Sequence, residues 1–147
     1  MSRIVDFLHK RIKSDKCTIW DKLRYLWYRS KFQKKSALLG FEICTENIGE
    51  GLLIFHYGGG IVINRNAVIG TNCRFHGNSC VGNLGSENLS CPIIGNNVMF
   101  GVGSKVLGGI KIADNVKIGV GAVVIHDVTE IGCTVAGVPA RIVKHGI

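Results

Sequence analysis

Bulky apolar residues recur at every sixth position through two stretches of the chain. A glycine directly follows five of these ten positions, and a small or β-branched residue comes four places after each. A period of six matches neither the α-helix nor the simple alternating strand. It is typical of a parallel β-helix in which each hexapeptide forms one flat side of a coil. We expect these ten anchors to point inward: Ile63, Ile69, Phe75, Val81, Ile94, Phe100, Val106, Ile112, Ile118 and Val124.

The six-residue register has two breaks. Ile48 and Ile54 extend it upstream, with three extra residues before Ile63. Thirteen residues separate Val81 from Ile94, and the segment NLGSENLSCP lies between them. We expect this segment to loop out of the coil stack, where binding contacts often occur. A neutral insertion is the alternative.

Residues 1–40 have a different pattern, which predicts two helices. A first amphipathic helix is indicated by the spacing of Ile4, Val5, Phe7, Leu8 and Ile12. A second is expected from about Thr18, with Thr18 or Asp21 as its cap, to Leu39 and Gly40. The sequence thus predicts a basic helical segment over 1–40 and a β-helix domain over 41–147.

The net charge of +8 lies entirely in the helical segment. Residues 1–40 hold eleven Lys and Arg against three Asp, whereas residues 41–147 hold seven basic and seven acidic residues. Such a basic amphipathic start favours either contact with an anionic membrane surface or packing against the rest of the protein with its charges solvated. A nucleic-acid partner is not expected, because no recognised binding motif accompanies the charge.

The cysteines and the apolar runs indicate the compartment. Six Cys occur without a CxxC pair, and the chain does not begin with a secretory signal pattern. No apolar run approaches the length of a transmembrane helix. We expect a cytoplasmic protein with free thiols, at the inner membrane surface if the basic segment binds lipid.

His56 stands in an apolar run, followed closely by three glycines, in GLLIFHYGGG. Histidine suits general base catalysis because its ordinary pKa lies near neutrality. A histidine on the coil surface that bonds to a backbone carbonyl is the other interpretation.

Three stretches resemble a known family: IGEGLLIFHYGGGIVINRNAVIG, CPIIGNNVMFGVGSKVLGGIKIADNVKIGVGAVVIHDV and VAGVPARIV. Over residues 42–143 the chain resembles the hexapeptide-repeat acyltransferases, in the serine acetyltransferase-like branch that includes short enzymes of surface-polysaccharide gene clusters. The resemblance implies a left-handed β-helix, a homotrimer with active sites between subunits, and acetyl-CoA as the co-substrate without a metal.

The resemblance also implies roles for single residues. His56 corresponds to the general base, and Glu42 is the expected carboxylate that orients it, with Glu46 and Glu50 as alternatives. His76, Tyr57 and Asn78 are expected to contact the acceptor. Acetyl-CoA is expected against Gly103, Ser104, Gly119 and Gly121, with its phosphates held by Lys117 and Arg141, or by Lys144.

The chain departs from the serine acetyltransferases at two places that bear on the acceptor. Phe55 stands where the family usually has Asp, and Ser90, Cys91 and Pro92 stand where it has an Arg-His pair and proline. A small zwitterion such as serine requires charged partners. We therefore expect an O-acetyltransferase acting on a sugar hydroxyl, with serine O-acetyltransfer as the alternative. A non-catalytic scaffold, and a metal-dependent hydratase with three converging histidines, are weaker alternatives.

Overall fold

The computed structural model describes residues 18–44, 47–55 and 59–146. The described chain begins with helix α1, Ile19–Leu38. Thr18 is its N-cap: the Asp21 N–H donates to Thr18 Oγ1 at 3.2 Å, and the Thr18 N–H donates to the Asp21 carboxylate at 3.1 Å. Thr18 and Asp21 thus form a reciprocal capping box. The predicted second helix is confirmed, whereas the predicted helix around Ile4 to Ile12 lies outside the described residues.

The strands form a left-handed parallel β-helix with three flat faces. Face A contains β1 Glu42–Ile43, β3 Val62–Ile63, β6 Cys80–Gly82, β9 Lys105–Leu107 and β12 Val123–Val124. Face B contains β4 Val68–Ile69, β7 Ile93–Ile94 and β10 Lys111–Ile112. Face C contains β2 Leu53–Phe55, β5 Arg74–His76, β8 Met99–Phe100, β11 Lys117–Ile118, β13 Thr134–Gly137 and β14 Ala140–Lys144.

The predicted anchors form the core of this β-helix. All ten are at most 3% exposed. The parallel register places them directly over one another, as in Ile63, Val81, Val106 and Val124 on face A. On face C the rings of Phe75 and Phe100 stack with centroids 4.0 Å apart. The inward direction of the anchors is confirmed.

Small residues four places after the anchors also point inward and shape the corners. Nine of the ten are buried, including Ala67, Cys73, Ser79 and Ser104. The tenth, Gly85, is exposed because it lies in the segment that interrupts the register. A small inward side chain lets the backbone turn from one face to the next without leaving a void.

Helix α1 packs at one end of the coil stack, and the last two strands close the other end. Phe32 of α1 packs against the core at the first coil, and the Phe41 N–H donates to the Ser36 carbonyl at 2.7 Å. The antiparallel pair β13 and β14 closes the other end.

Residues 83–92 connect β6 to β7, and residues 84–90 are exposed, which confirms that this segment loops out. The domain division at residue 40 stays a prediction.

Replacing Phe100 with Ala should lower the free energy of unfolding by about 3–5 kcal/mol, since it removes a buried ring and leaves a cavity beside Phe75. Val102→Ala is the matched control, because the Val102 side chain is exposed two residues away. Urea denaturation followed by circular dichroism measures both. Equal losses for the two variants would contradict the stacked core.

Candidate functional site

Faces C and A meet at a corner whose backbone adopts the same conformation in three successive coils. Asn78, Gly103 and Gly121 have φ values of 62°, 70° and 66°. The Gly103 N–H donates to the Gly77 carbonyl at 3.0 Å, and the Gly121 N–H donates to the Val102 carbonyl at 2.8 Å. These bonds stack the turns in register. A positive φ favours Gly or Asn, which explains the residue types.

This corner is open on its outer side. A Cβ atom added at Gly121 would meet nothing within 4 Å, and one added at Gly103 would meet only the Gly121 Cα atom, at 4.0 Å. The neighbouring Val102 and Val120 are 40% and 78% exposed. We call the set Gly77, Asn78, Val102, Gly103, Val120 and Gly121 the glycine corner. It presents bare backbone beside an apolar wall, a surface that a narrow linear ligand can approach closely.

The structure brings the four residues expected for acetyl-CoA to the coils of this corner. Gly103 and Gly121 are part of it. A Cβ atom at Gly119 would come within 3.0 Å of the Ala136 Cβ, so packing against the last coil explains this glycine. Ser104 is fully buried, with its hydroxyl 3.5 Å from that of Ser79. The Ser104 N–H donates to the Gly101 carbonyl and its own carbonyl accepts from the Cys80 N–H, so Ser104 supports the corner from inside and is not exposed to a ligand.

The three cations expected for the phosphates lie together at the closing end of face C. The register pairs Lys117 with Thr134 and Thr134 with Lys144. Arg141 pairs with Ala136, the residue that packs on Gly119. All three side chains are exposed. A positively charged end of the face thus adjoins the last coil of the glycine corner.

His76 lies at the end of β5, where the glycine corner begins. Its Nδ1 atom is 2.7 Å from the Phe100 carbonyl oxygen. A carbonyl only accepts, so Nδ1 carries the hydrogen and Nε2 is the basic nitrogen of the neutral ring. The ring also stacks on Phe55, with centroids 5.2 Å apart and planes inclined by 17°. Phe55, the residue that departs from the family pattern, therefore fixes the position of this imidazole.

His56 and Tyr57 lie outside the described residues, whereas the chain on either side of them is described. Phe55 precedes them and contacts His76. Gly59 follows, and a Cβ atom there would lie 2.9 Å from Asn78 Oδ1. Both flanking residues therefore reach the start of the glycine corner.

A cavity of about 580 Å³ lies on the outer side of face A. Glu42 lines it at one side, and the register places Glu42, Val62 and Cys80 in one outward row. Asn64, Arg65 and Asn83 also line it. Among the alternative carboxylates, Glu50 lies at the turn between faces B and C, and Glu46 lies outside the described residues.

The inserted segment contributes to this cavity. Asn64 Nδ2 donates to Asn83 Oδ1 at 3.2 Å, and Asn83 Nδ2 donates to the Gly85 carbonyl at 2.6 Å. The sequence reasoning missed Asn64 and Arg65. A usable signal was present, since they directly follow the anchor Ile63 and thus precede a corner.

Cys80 also lines this cavity, beside charged neighbours. Burial raises the pKa of its thiol above the usual value, and the carboxylate of Glu42 adds to this rise while the ammonium of Lys105 opposes it. Cys80 is therefore protonated near neutral pH and is a poor nucleophile. The described cysteines, Cys44, Cys73, Cys80, Cys91 and Cys133, are all free thiols.

The described residues contain neither a cluster suited to a metal ion nor a membrane-spanning helix. Within 18–44, 47–55 and 59–146, no three His, Cys, Asp or Glu side chains gather closely enough to hold a metal ion. In the same part of the chain no helix combines the length and the apolar character required to cross a membrane.

Solved structures of serine acetyltransferases are similar to this chain. No family model and no curated protein matches it. The soybean apoenzyme is 28% identical, with a TM-score of 0.68, over 96% of this chain and 55% of its own. The Neisseria gonorrhoeae enzyme in complex with serine is 27% identical, with a TM-score of 0.66, over 97% and 68%.

A Brucella abortus serine acetyltransferase in complex with coenzyme A is 27% identical, with a TM-score of 0.64, over 99% of this chain and 55% of its own. The chain thus spans between about half and two thirds of the length of these solved chains. The similarity covers both α1 and the whole β-helix.

The hydrogen bond between His76 and Phe100 predicts the tautomer of His76. In the neutral ring the proton should be on Nδ1, although free histidine in water prefers the other tautomer. Two-dimensional ¹⁵N NMR of the imidazoles measures this directly, with His76→Gln to assign the signal. A neutral His76 protonated on Nε2 would contradict the geometry.

Proposed function

Since this chain groups by structure with the serine acetyltransferase-like branch of the hexapeptide-repeat transferases, we propose that it is an acetyl-CoA-dependent O-acetyltransferase. The observation that carries the proposal is the glycine corner. Its backbone is open to a ligand through two successive coils, at Gly103 and Gly121. It joins His76 at one end to the cationic end of face C at the other.

The proposed chemistry is a direct acetyl transfer. His56 takes the proton of the acceptor hydroxyl as its oxygen attacks the thioester carbonyl. The tetrahedral intermediate then collapses, the C–S bond breaks, and the imidazolium returns the proton to the leaving thiolate of CoA. Glu42 holds the His56 imidazole in one tautomer and stabilises its positive charge during transfer.

The proposed position of acetyl-CoA follows the glycine corner. The pantetheine arm lies against the exposed side chains of Val102 and Val120 and against the backbone at Gly103 and Gly121. Arg141, Lys117 and Lys144 bind the phosphates, because cations grouped at one end of a groove attract such anions. The CoA complex of the Brucella abortus enzyme supports this choice of co-substrate.

We propose a sugar as the acceptor, in surface-polysaccharide synthesis in the cytoplasm. The cavity on face A carries the carboxamides of Asn64 and Asn83, each of which keeps one N–H for a hydroxyl group beside the hydrogen bond that it already donates. Its volume of about 580 Å³ lies in the usual range of small-molecule sites and leaves room for a sugar. Phe55 is 42% exposed and offers a ring on which the C–H face of a sugar can pack.

Free serine is the second candidate acceptor. The serine complexes among the solved structures favour it. Glu42 and Arg65 both line the cavity, so both charges of a zwitterion have a partner. His76 and Asn78 lie beside Phe55 and Gly59, and they remain proposed acceptor contacts with Tyr57 for either substrate.

The proposed assembly is a homotrimer with a site between neighbouring subunits. Exposed apolar side chains on three outer surfaces support it, including Leu53, Val62, Val68 and Ile93. Burying such surfaces against another copy is favourable.

Replacing His56 with Ala should lower kcat by about 100- to 10,000-fold, the range typical of losing a general base. Glu42→Gln should cause a smaller loss, since it removes the charge that orients the base and keeps the shape. His126→Ala is the control, an exposed histidine before the last coil. Acetyl transfer is followed by mass spectrometry of the product. A His56→Ala rate within about threefold of wild type would refute the assignment.

Incubation with acetyl-CoA should acetylate a sugar from a panel of nucleotide-sugars and simple sugars, and leave L-serine unmodified. Mass spectrometry of the acceptors is the measurement, because the cysteines of the protein would react in a thiol-release assay. Acetylation of serine alone would overturn the sugar acceptor and retain the transferase. No acetylated product from either class would overturn the function itself.

Replacing Gly121 with Asn should raise KM for acetyl-CoA on the order of tenfold, equivalent to about 1.4 kcal/mol, because a side chain then occupies the open corner. Asn adopts this backbone at Asn78, so the fold should persist. Gly132→Asn is the matched control: Gly132 has φ 73° at a different corner, where Asn72, Asn97 and Asn115 already have positive φ. Equal KM values for the two variants would contradict the placement of acetyl-CoA at the glycine corner.

A further inference from the structure

Helix α1 turns a row of large apolar side chains away from the β-helix. Tyr25 and Ser36 are buried and Phe32 packs on the core, which defines the inner side of the helix. At about 100° per residue, Leu23 and Trp27 lie on the opposite side. We call this row the apolar stripe, and its members are between 51% and 71% exposed: Ile19, Trp20, Leu23, Leu26 and Trp27.

Basic side chains border the apolar stripe. Arg24, Lys31 and Lys35 follow one edge of it at helical spacing, and Lys22 lies on the other edge. The ammonium of Lys31 lies 3.9 Å from the centroid of the Trp27 ring, so basic and apolar side chains form one surface. Asp21 is the only acidic residue between Ile19 and Leu38, and it is buried in the capping box. The outer side of α1 is therefore apolar and cationic together.

The combination of exposed apolar and basic side chains limits the kinds of partner that can bind this surface. Five large apolar side chains in one row exceed the scattered exposure of ordinary surface helices. A second copy of α1 packed on the stripe would bring cations of the two helices against each other, with no surface carboxylate on either helix to neutralise them. An anionic bilayer satisfies both requirements: its acyl chains receive the apolar groups and its phosphates meet the Lys and Arg.

We propose that the apolar stripe and its bordering cations are a docking surface for an anionic lipid bilayer. Helix α1 lies in the interface plane, with Trp20, Leu23 and Trp27 among the headgroups and upper acyl chains. The long stems of Lys31 and Lys35 let their ammonium groups reach the phosphates. The β-helix, which packs on the inner side of α1, then faces away from the bilayer.

The test uses the full chain and vesicles of phosphatidylcholine, with or without phosphatidylglycerol. Cosedimentation should give binding to the anionic vesicles about tenfold or more above that to the neutral ones, weakened by salt. Tryptophan emission should shift to the blue on binding. The double variant Leu23→Gln, Leu26→Gln should lose binding, because both side chains are exposed and their replacement removes apolar contact while keeping good helix formers.

Ile131→Gln is the control, since it makes the same kind of exchange at an exposed position on the β-helix. It should bind vesicles like the wild type. Equal binding to neutral and anionic vesicles, or equal binding by the double variant and the wild type, would overturn the proposal. A double variant that instead forms a smaller assembly in sedimentation would assign the stripe to a second copy. None of these outcomes depends on acetyl transfer, so the docking surface and the proposed function can fail independently.

Discussion

The structure depends on the stacking of one buried apolar side chain directly above another, coil after coil. Ile63, Val81, Val106 and Val124 form one such column, and the rings of Phe75 and Phe100 belong to another. Burial of each anchor is favourable on its own. Its further effect is to fix the register, because a one-residue slip would turn the whole set of apolar side chains outward.

A fixed register also aligns the corner residues and the outward residues of successive coils. The corner positions of successive coils come to lie over one another, so that Gly103 and Gly121 make one open surface in line with Asn78. Outward residues align in the same way, which brings Glu42, Val62 and Cys80 into one row beside the cavity. The glycine corner and the cavity therefore both result from the repeat that builds the core.

The extent to which the sequence predicts this structure follows the same physical division. Inward positions are constrained at every coil, so the ten anchors and the looped segment 83–92 could be predicted directly, whereas the choice between Thr18 and Asp21 as the helix cap required the structure. Outward positions have no periodic constraint, so the place of Asn64 and Arg65 after the anchor Ile63 indicates a corner but not a cavity. Gly103 and Gly121 were predicted through a family resemblance, whereas their neighbours Val102 and Val120 required the structure. Handedness too came from the resemblance, since most parallel crossovers have the other hand.

Basic residues are distributed differently in the two parts of the chain. Residues 41–147 hold equal numbers of basic and acidic residues, and the cations Lys117, Arg141 and Lys144 lie at the end of face C. Four of the six basic residues of α1, Lys22, Arg24, Lys31 and Lys35, instead border an apolar stripe on the far side of the helix. An enzyme that takes a charged co-substrate at one surface and meets lipid at another would need this separation, because each anion then has its own cations.

A crystal structure of the full chain grown with CoA would show where the co-substrate binds. We expect electron density for the pantetheine arm along the glycine corner, against Gly103 and Gly121, with the phosphates near Arg141. Density for CoA on another surface, or an empty corner at saturating CoA, would contradict this placement.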